Sequence, residues 1–188
     1  MNFLIISLAR SGSTTLQKSI ANAYGLTEIF EPYAKWGNKK YNSENAVVKV
    51  ILHQIDNIEY RLGDLNEEHF QRCVDFQLKL IPSFDKIILL TRKNTKEQAE
   101  SLYSLYEGNV WNAKYVYNLS DDIEHIIDQI ELENLYLNKI SEITNIPIDT
   151  YEEVYYGDGL IDKSILLDYD ILNKKNKYRQ FEIDKKLI

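Results

Sequence analysis

Arg10-Ser11-Gly12-Ser13-Thr14 follows an apolar run, Phe3–Ser7, and leads directly into a helical pattern that takes in Thr15. A buried strand that turns through small residues into a helix start presents unpaired backbone N–H groups. Here a guanidinium and three hydroxyls stand beside them, so the residue types in this order make an anion cradle. A Ser/Gly turn that does no more than cap a helix is the plain alternative. A nucleotide kinase would need Gly-x-x-x-x-Gly-Lys-Ser/Thr, with the lysine reaching the terminal phosphates and a hydroxyl on magnesium. This loop has one glycine, Gly12, and no lysine before its hydroxyls.

The elements that must position the cradle follow from periodicity. Apolar residues Leu16, Ile20, Ala23 and Tyr24 recur at helical spacing over residues 14–24, and Gly25 stops the helix. A short strand is expected at Thr27–Phe30, ending at Glu31-Pro32. Residues 46–52 (Ala-Val-Val-Lys-Val-Ile-Leu) read as a third strand buried on both faces, and Lys86–Thr91 as a fourth, leading into Arg92. Residues 33–45, polar and aromatic, read as an irregular loop. Helices are expected over 67–81, after a cap at Asn94 or Thr95, where Thr95-x-x-Gln98 has capping-box form, and over 121–143. The second carries Ala99, Leu102, Tyr103 and Tyr106 on one face and ends at Gly108; the third carries a stripe of Ile123, Ile126, Ile127, Ile130, Leu137 and Ile140. A last strand at 146–151 is followed by a weakly patterned region. Apolar strands alternating with helices predict an α/β protein with a mostly parallel central sheet and its ligand at the C-terminal ends of the strands.

The chain has 188 residues, 44% of them hydrophobic, which fits one domain over 1–188. Its single Cys73 cannot form an internal disulfide, and His53, His69 and His125 are too far apart in sequence for metal-ligand spacing, so no metal site is expected. The first apolar run is too short for a signal segment, lacks a basic flank, and meets Arg10; no stretch approaches a membrane span. A cytoplasmic location and no membrane span are therefore expected. The net charge of −7 is unevenly spread: residues 1–50 hold six Lys/Arg against three Asp/Glu, and 171–188 hold six against two. Such a chain lacks the broad basic surface of a nucleic-acid binder and suits a small anionic ligand instead. The basic run at 174–177 serves equally well as a solvated tail.

The cradle, Arg10-Ser11-Gly12-Ser13-Thr14 after a first strand, resembles the 5′-phosphosulfate loop of the sulfotransferases that use 3′-phosphoadenosine 5′-phosphosulfate (PAPS), where Lys or Arg opens a Ser-Gly-Ser/Thr-Thr loop. Arg92 at a strand end and Ser101 on the next helix, within Arg92-Lys93-Asn94-Thr95-Lys96-Glu97-Gln98-Ala99-Glu100-Ser101-Leu102, resemble the 3′-phosphate motif of the same family. The wording Gln-Ala-x-Ser is closest to the bacterial and carbohydrate-type branch. A guanidinium can chelate two phosphate oxygens while a hydroxyl donates a further bond, so the pairing is physically sound. Glu31-Pro32, within Ile29-Phe30-Glu31-Pro32-Tyr33, is similar to a Phe-Glu-Pro segment of carbohydrate-type members, and Thr150-Tyr151-Glu152-Glu153-Val154 to a Tyr-Glu-x-Leu segment. The resemblance spans about residues 1–155. Thr15 stands where many members have Trp, and Tyr178-Arg179 is the nearest approach to the family's Arg-Lys-Gly loop.

This resemblance implies a P-loop-like three-layer fold and in-line transfer of a sulfuryl group from PAPS, the co-substrate, to a hydroxyl or amine of a small-molecule or carbohydrate acceptor. Arg10 and the loop amides of residues 11–15 would stabilise charge developing on the leaving phosphate without a metal, and Arg92 with Ser101 would read the 3′-phosphate. Glu31, at the end of a strand beside the first, is the candidate base, with His53 as its competitor. Lys49, a lone charge among Val, Ile and Leu, is a candidate assistant. It reads slightly better as a sheet-edge lysine with its stem buried and its head in water. Tyr33, Trp36, Tyr41, Tyr103, Tyr106 and Trp111 are equally a sugar platform or core. A non-catalytic nucleotide-binding module of the same fold and a P-loop kinase of degenerate motif are the alternatives.

Overall fold

In the computed structural model the apolar runs become five strands of one sheet, and the helical patterns pack on its two faces. Residues 1–34, 37, 44–55, 67–107 and 123–157 are described, the side chains of 104–107 apart. The expectations for Trp36, Tyr41, Gly108, Trp111, the run 174–177, Tyr178 and Arg179, and for the side chain of Tyr106, lie outside the described residues, as does most of the loop at 33–45.

The elements in order are β1 (Phe3–Ser7), α1 (Ser13–Tyr24), β2 (Thr27–Phe30), β3 (Ala46–Ile51), α2 (Glu67–Leu80), a 3₁₀ turn (Ile81–Ser83), β4 (Lys86–Thr91), α3 (Thr95–Glu107), α4 (Ile123–Thr144), β5 (Ile148–Thr150) and α5 (Tyr151–Tyr155). The sheet runs β2-β3-β1-β4-β5 and is parallel throughout. Every residue of β1 and β3 is buried, as continuous apolar runs in a parallel sheet covered on both faces should be. Leu4, Ile6, Val48, Val50 and Leu89 face a layer built by α2, α3 and α4, with Phe70, Ala99, Leu102, Ile130, Leu137 and Ile140. Phe3, Ile5, Val47 and Leu90 face α1, through Leu16 and Ile20, and Val154 of α5. The result is a three-layer α/β fold.

Element ends differ from the sequence expectation where side chains intervene. Ile146 and Pro147 precede β5 rather than join it, and Thr150 ends the strand by capping α5: its hydroxyl accepts the Glu153 N–H while the Glu153 carboxylate receives the Thr150 N–H, a complete capping box. At α3 the cap is Asn94, whose Oδ1 accepts the Glu97 N–H at 3.1 Å. Gln98, assigned to a capping box by spacing, is fully buried and turns its amide elsewhere. Gly25 does end α1, with a left-handed backbone (φ 64°). Among the described residues no helix is long and apolar enough to cross a membrane, and no group of three or more His, Cys, Asp or Glu side chains is placed to hold a metal ion.

Because all strands are parallel, Arg10, Glu31, His53, Arg92 and Tyr151 follow the C-terminal ends of their strands on one side of the sheet. The chain passes from β1 to β2 and β3 on one side and then crosses to β4 on the other, so the order reverses beside β1, where α/β sheets open a crevice for ligands.

Candidate active site

The turn from β1 into α1 has an unusual backbone. Arg10 and Gly12 are both left-handed, with φ of 63° and 80°, a region unfavourable for a residue with a Cβ and open to glycine. A Cβ on Gly12 would also stand 2.5 Å from Cδ2 of Tyr151. A side chain of the turn itself and two from α3 and α5 fix it. Ser11 Oγ donates to the Leu8 carbonyl at 2.8 Å, Gln98 Nε2 of α3 to the Ala9 carbonyl at 2.6 Å, and the Tyr155 hydroxyl of α5 to the Gly12 carbonyl at 3.2 Å. With those carbonyls engaged, what the loop can offer an anion at the start of α1 is the N–H groups of residues 11–14, since the Thr15 N–H already donates to the Gly12 carbonyl at 3.1 Å. Ser11 is fully buried and its hydroxyl proton is committed to Leu8, so its N–H is what it can offer an anion. Ser13 is buried as well, and the Thr14 hydroxyl accepts a hydrogen bond from Lys49 Nζ at 3.0 Å.

Lys49 is not an edge lysine. The strand β3 lies between β2 and β1, and Lys49 is 2% exposed. Its ammonium meets a Glu31 carboxylate oxygen at 2.6 Å, Thr14 at 3.0 Å, and the face of Phe30 at 3.8 Å from the ring centroid. Burial pushes the ammonium below the usual lysine range; the Glu31 charge and hydrogen bond pull it back up, and Arg10 adds a smaller push down. One buried cation therefore ties the carboxylate at the end of β2 to the first turn of the cradle helix. Glu31 is itself buried and left-handed (φ 43°), and Gln54 Nε2 donates to its second oxygen at 2.8 Å.

His53, the competing base, points into the protein. Its Nδ1 lies 2.6 Å from Glu133 Oε1 of α4, and both side chains are buried. Burial is the largest single influence and disfavours the charged imidazolium. The Glu133 charge and hydrogen bond, with the Glu31 charge, outweigh it and leave the pKa raised above the ordinary histidine value. Beside it, His69 is held down to about 4 by burial and by the positive charges of His53 and Arg72. His69 Nε2 lies 3.3 Å from the Cys73 sulfur, and burial pushes that thiol up to about 12, so it is no nucleophile.

Ser101 of α3 comes to the cradle itself: Arg10 Nε donates to its hydroxyl at 2.8 Å, joining residues 91 apart in sequence across the crevice between β1 and β4. Arg92 has other partners. Its guanidinium stacks 4.9 Å from the Tyr151 ring centroid, pairs with Glu97, and lies 3.8 Å from Glu152. The Glu152 carboxylate accepts the backbone N–H groups of Lys93 and Asn94 at 2.9 and 3.3 Å. Lys93 Nζ bonds Glu153 at 2.7 Å, and that bond, with those from Thr150, holds the Glu153 carboxyl below the usual range. Arg92, Lys93, Asn94, Thr95, Glu97, Tyr151, Glu152 and Tyr156 line a groove of about 790 Å³ at the ends of β4 and β5. Arg92 and Ser101, read from the sequence as one phosphate clamp, thus hold different partners. No model of a known protein family matches the chain, and no curated protein matches it. The chemistry of the site rests on its own geometry.

The part that several residues play in the site went unread in the sequence, Tyr151 among them although its segment was singled out. Tyr151 and Tyr155 cover Gly12 and the cradle, and the signal for their helix was present as Thr150-x-x-Glu153. Gln98 holds the loop at Ala9; nothing local distinguishes it from a capping glutamine. Of the aromatic residues considered for a sugar platform, Tyr33 packs edge-on against Phe76 at 4.8 Å, and both Tyr33 and Tyr103 lie against the core.

Proposed function

We propose that the protein is a PAPS-dependent sulfotransferase that moves a sulfuryl group to a hydroxyl or amine of a small-molecule or carbohydrate acceptor. The observation that carries this reading is the Arg10–Ser101 hydrogen bond, which joins the two segments whose sequences resemble the two ends of one nucleotide site. The backbone supports it further. Among the described residues four non-glycines have positive φ: Arg10, Glu31, Asn45 and Asn145. Asparagine tolerates that region, whereas Arg10 and Glu31 carry strain of a kind that concentrates at functional sites.

In this reading Arg10 and the N–H groups of residues 11–14 bind the phosphate that departs when the sulfuryl group moves, stabilising its growing charge; the Thr15 N–H, expected to join them, donates to the Gly12 carbonyl instead. PAPS supplies the activated sulfuryl group, and adenosine 3′,5′-bisphosphate leaves. Glu31 accepts the proton of the attacking hydroxyl or amine. Lys49, 2.6 Å from one of its oxygens, holds that carboxylate in place. His53, held toward its protonated form by Glu133 and turned into the protein, is less available to accept a proton near neutral pH.

Thermal melting with added nucleotide tests the reading without knowledge of the acceptor. Adenosine 3′,5′-bisphosphate should stabilise the fold more than AMP or ATP, with or without magnesium; a ligand at 100 times its Kd adds about 2.7 kcal/mol. A preference for ATP with magnesium would assign the site to a kinase, and equal shifts with AMP would remove the 3′-phosphate from the account.

A further inference from the structure

Arg92 sits in the groove with two carboxylates around it, and they are not held alike. Glu152 is anchored: it accepts two backbone N–H groups from the β4–α3 turn, and its helix begins in a complete capping box. Glu97 is in the first turn of α3, its side chain 56% exposed, and among the described residues its carboxylate bonds Arg92 alone. Exposed ion pairs of this kind are weak and exchange readily with a better partner. Arg92 also keeps a donor in reserve. Its Nε is buried and among the described residues has no hydrogen-bond acceptor, since Glu152 at 3.8 Å is too far for a hydrogen bond. A guanidinium with one loosely held carboxylate and one unused donor, on the wall of an open groove, is built to accept an anion that can take two bonds at once.

We infer that Glu97 is an internal competitor for the 3′-phosphate, a residue that occupies Arg92 when the nucleotide is absent, yields it on binding, and reclaims it as adenosine 3′,5′-bisphosphate leaves. This rests on the function proposed above. The consequence is kinetic as well as thermodynamic. Product departure limits the turnover of many enzymes, and a carboxylate waiting beside the phosphate clamp shortens the lifetime of the product complex. Glu97 thereby sets how strongly the protein favours nucleotides that carry a 3′-phosphate. One negative charge about 6 Å from a dianion in water weakens its binding roughly tenfold.

The test is calorimetry and stopped-flow dissociation at low salt, with adenosine 3′,5′-bisphosphate and AMP as probes, on the wild-type chain, Glu97→Gln and Glu97→Ala. Both variants should bind the bisphosphate about tenfold more tightly, mainly through slower release. AMP affinity should stay within about twofold, and the gain should shrink as salt is added. If the wild type prefers the bisphosphate to AMP and neither variant changes that preference, Glu97 is no competitor and the cofactor assignment still stands. If wild type and variants alike fail to distinguish the two nucleotides, the cofactor assignment fails and the role of Glu97 falls with it.

Discussion

Replacing Gly12 with alanine tests how the cradle is enclosed, independently of what it binds. The left-handed backbone at φ 80° costs an L-residue about 1–2 kcal/mol. The new methyl group would lie 2.5 and 2.9 Å from two ring carbons of Tyr151 and 3.3 Å from one of Tyr155, where carbon pairs prefer about 3.5–4.0 Å. Tyr151 cannot simply swing away. It is 6% exposed, with Tyr155 at 4.8 Å and Tyr156 at 5.8 Å between ring centroids and Arg92 stacked on its face. Overpacking of this sort costs a further 1–3 kcal/mol or so. The expected loss is therefore about 2–5 kcal/mol, a fall in Tm of roughly 4–20 °C for a chain of this size. Thermal melts of Gly12→Ala, Tyr151→Ala and the double variant separate the two contributions. In the Tyr151→Ala background the Gly12 substitution should cost only the backbone share, about 1–2 kcal/mol, a coupling that distant sites do not show. An equal loss in both backgrounds, or one under about 1 kcal/mol in the wild type, would refute the packing of α5 over the cradle.

Other outcomes follow from the same geometry. Glu31→Gln should cut sulfuryl transfer by about 10² to 10⁴ while leaving nucleotide binding intact; normal turnover of that variant together with loss in His53→Ala would make His53 the base. His69 is held neutral, with a folded-state pKa of about 4 against 6.5 ordinarily, so its contribution is complete above pH 6.5 and is lost as the pH falls toward 4, by about 2–3 kcal/mol. Denaturant unfolding across pH 4–8 should show that slope in the wild type and a shallower one in His69→Gln. His53, raised, acts in the opposite sense: its share is present below the ordinary histidine pKa and is lost as pH rises through the folded value. Gln77 is fully buried and neither of its amide atoms has a partner among the described residues, so Gln77→Leu should stabilise the protein by about 1–2 kcal/mol. Destabilisation instead would mean that the amide holds a buried water.

The strands were legible because a parallel sheet covered on both faces needs runs of mainly apolar residues, and β1, β3 and β4 supply them, with Lys49 the one charge inside β3. The cradle was legible because its chemistry is local: a turn, a glycine and a helix start within a few residues. Lys49 was misread for the opposite reason. Whether its strand lies at an edge or inside the sheet depends on the order β2-β3-β1, which no local pattern reveals, and only the inside position buries the ammonium against Glu31. Arg92 shows the same limit. Its position at a strand end was readable, but its partners come from the first turn of α3 and from α5, some 60 residues on, and they decide whether the guanidinium waits free or already holds a carboxylate. The helix carrying Tyr151 and Tyr155 could have been found from its capping box; that the two rings lie over Gly12 could not.

The most direct measurement is a calorimetric titration of the wild-type protein and of Arg92→Ala with adenosine 3′,5′-bisphosphate and with AMP. The account predicts that the wild type binds the bisphosphate more tightly than AMP. It also predicts that Arg92→Ala, folded as judged by its melt, loses a charge-assisted contact of about 1.5–3 kcal/mol, one to two decades of affinity, for the bisphosphate alone. Equal affinities for the two nucleotides in the wild type, or an unchanged preference in Arg92→Ala, would contradict it.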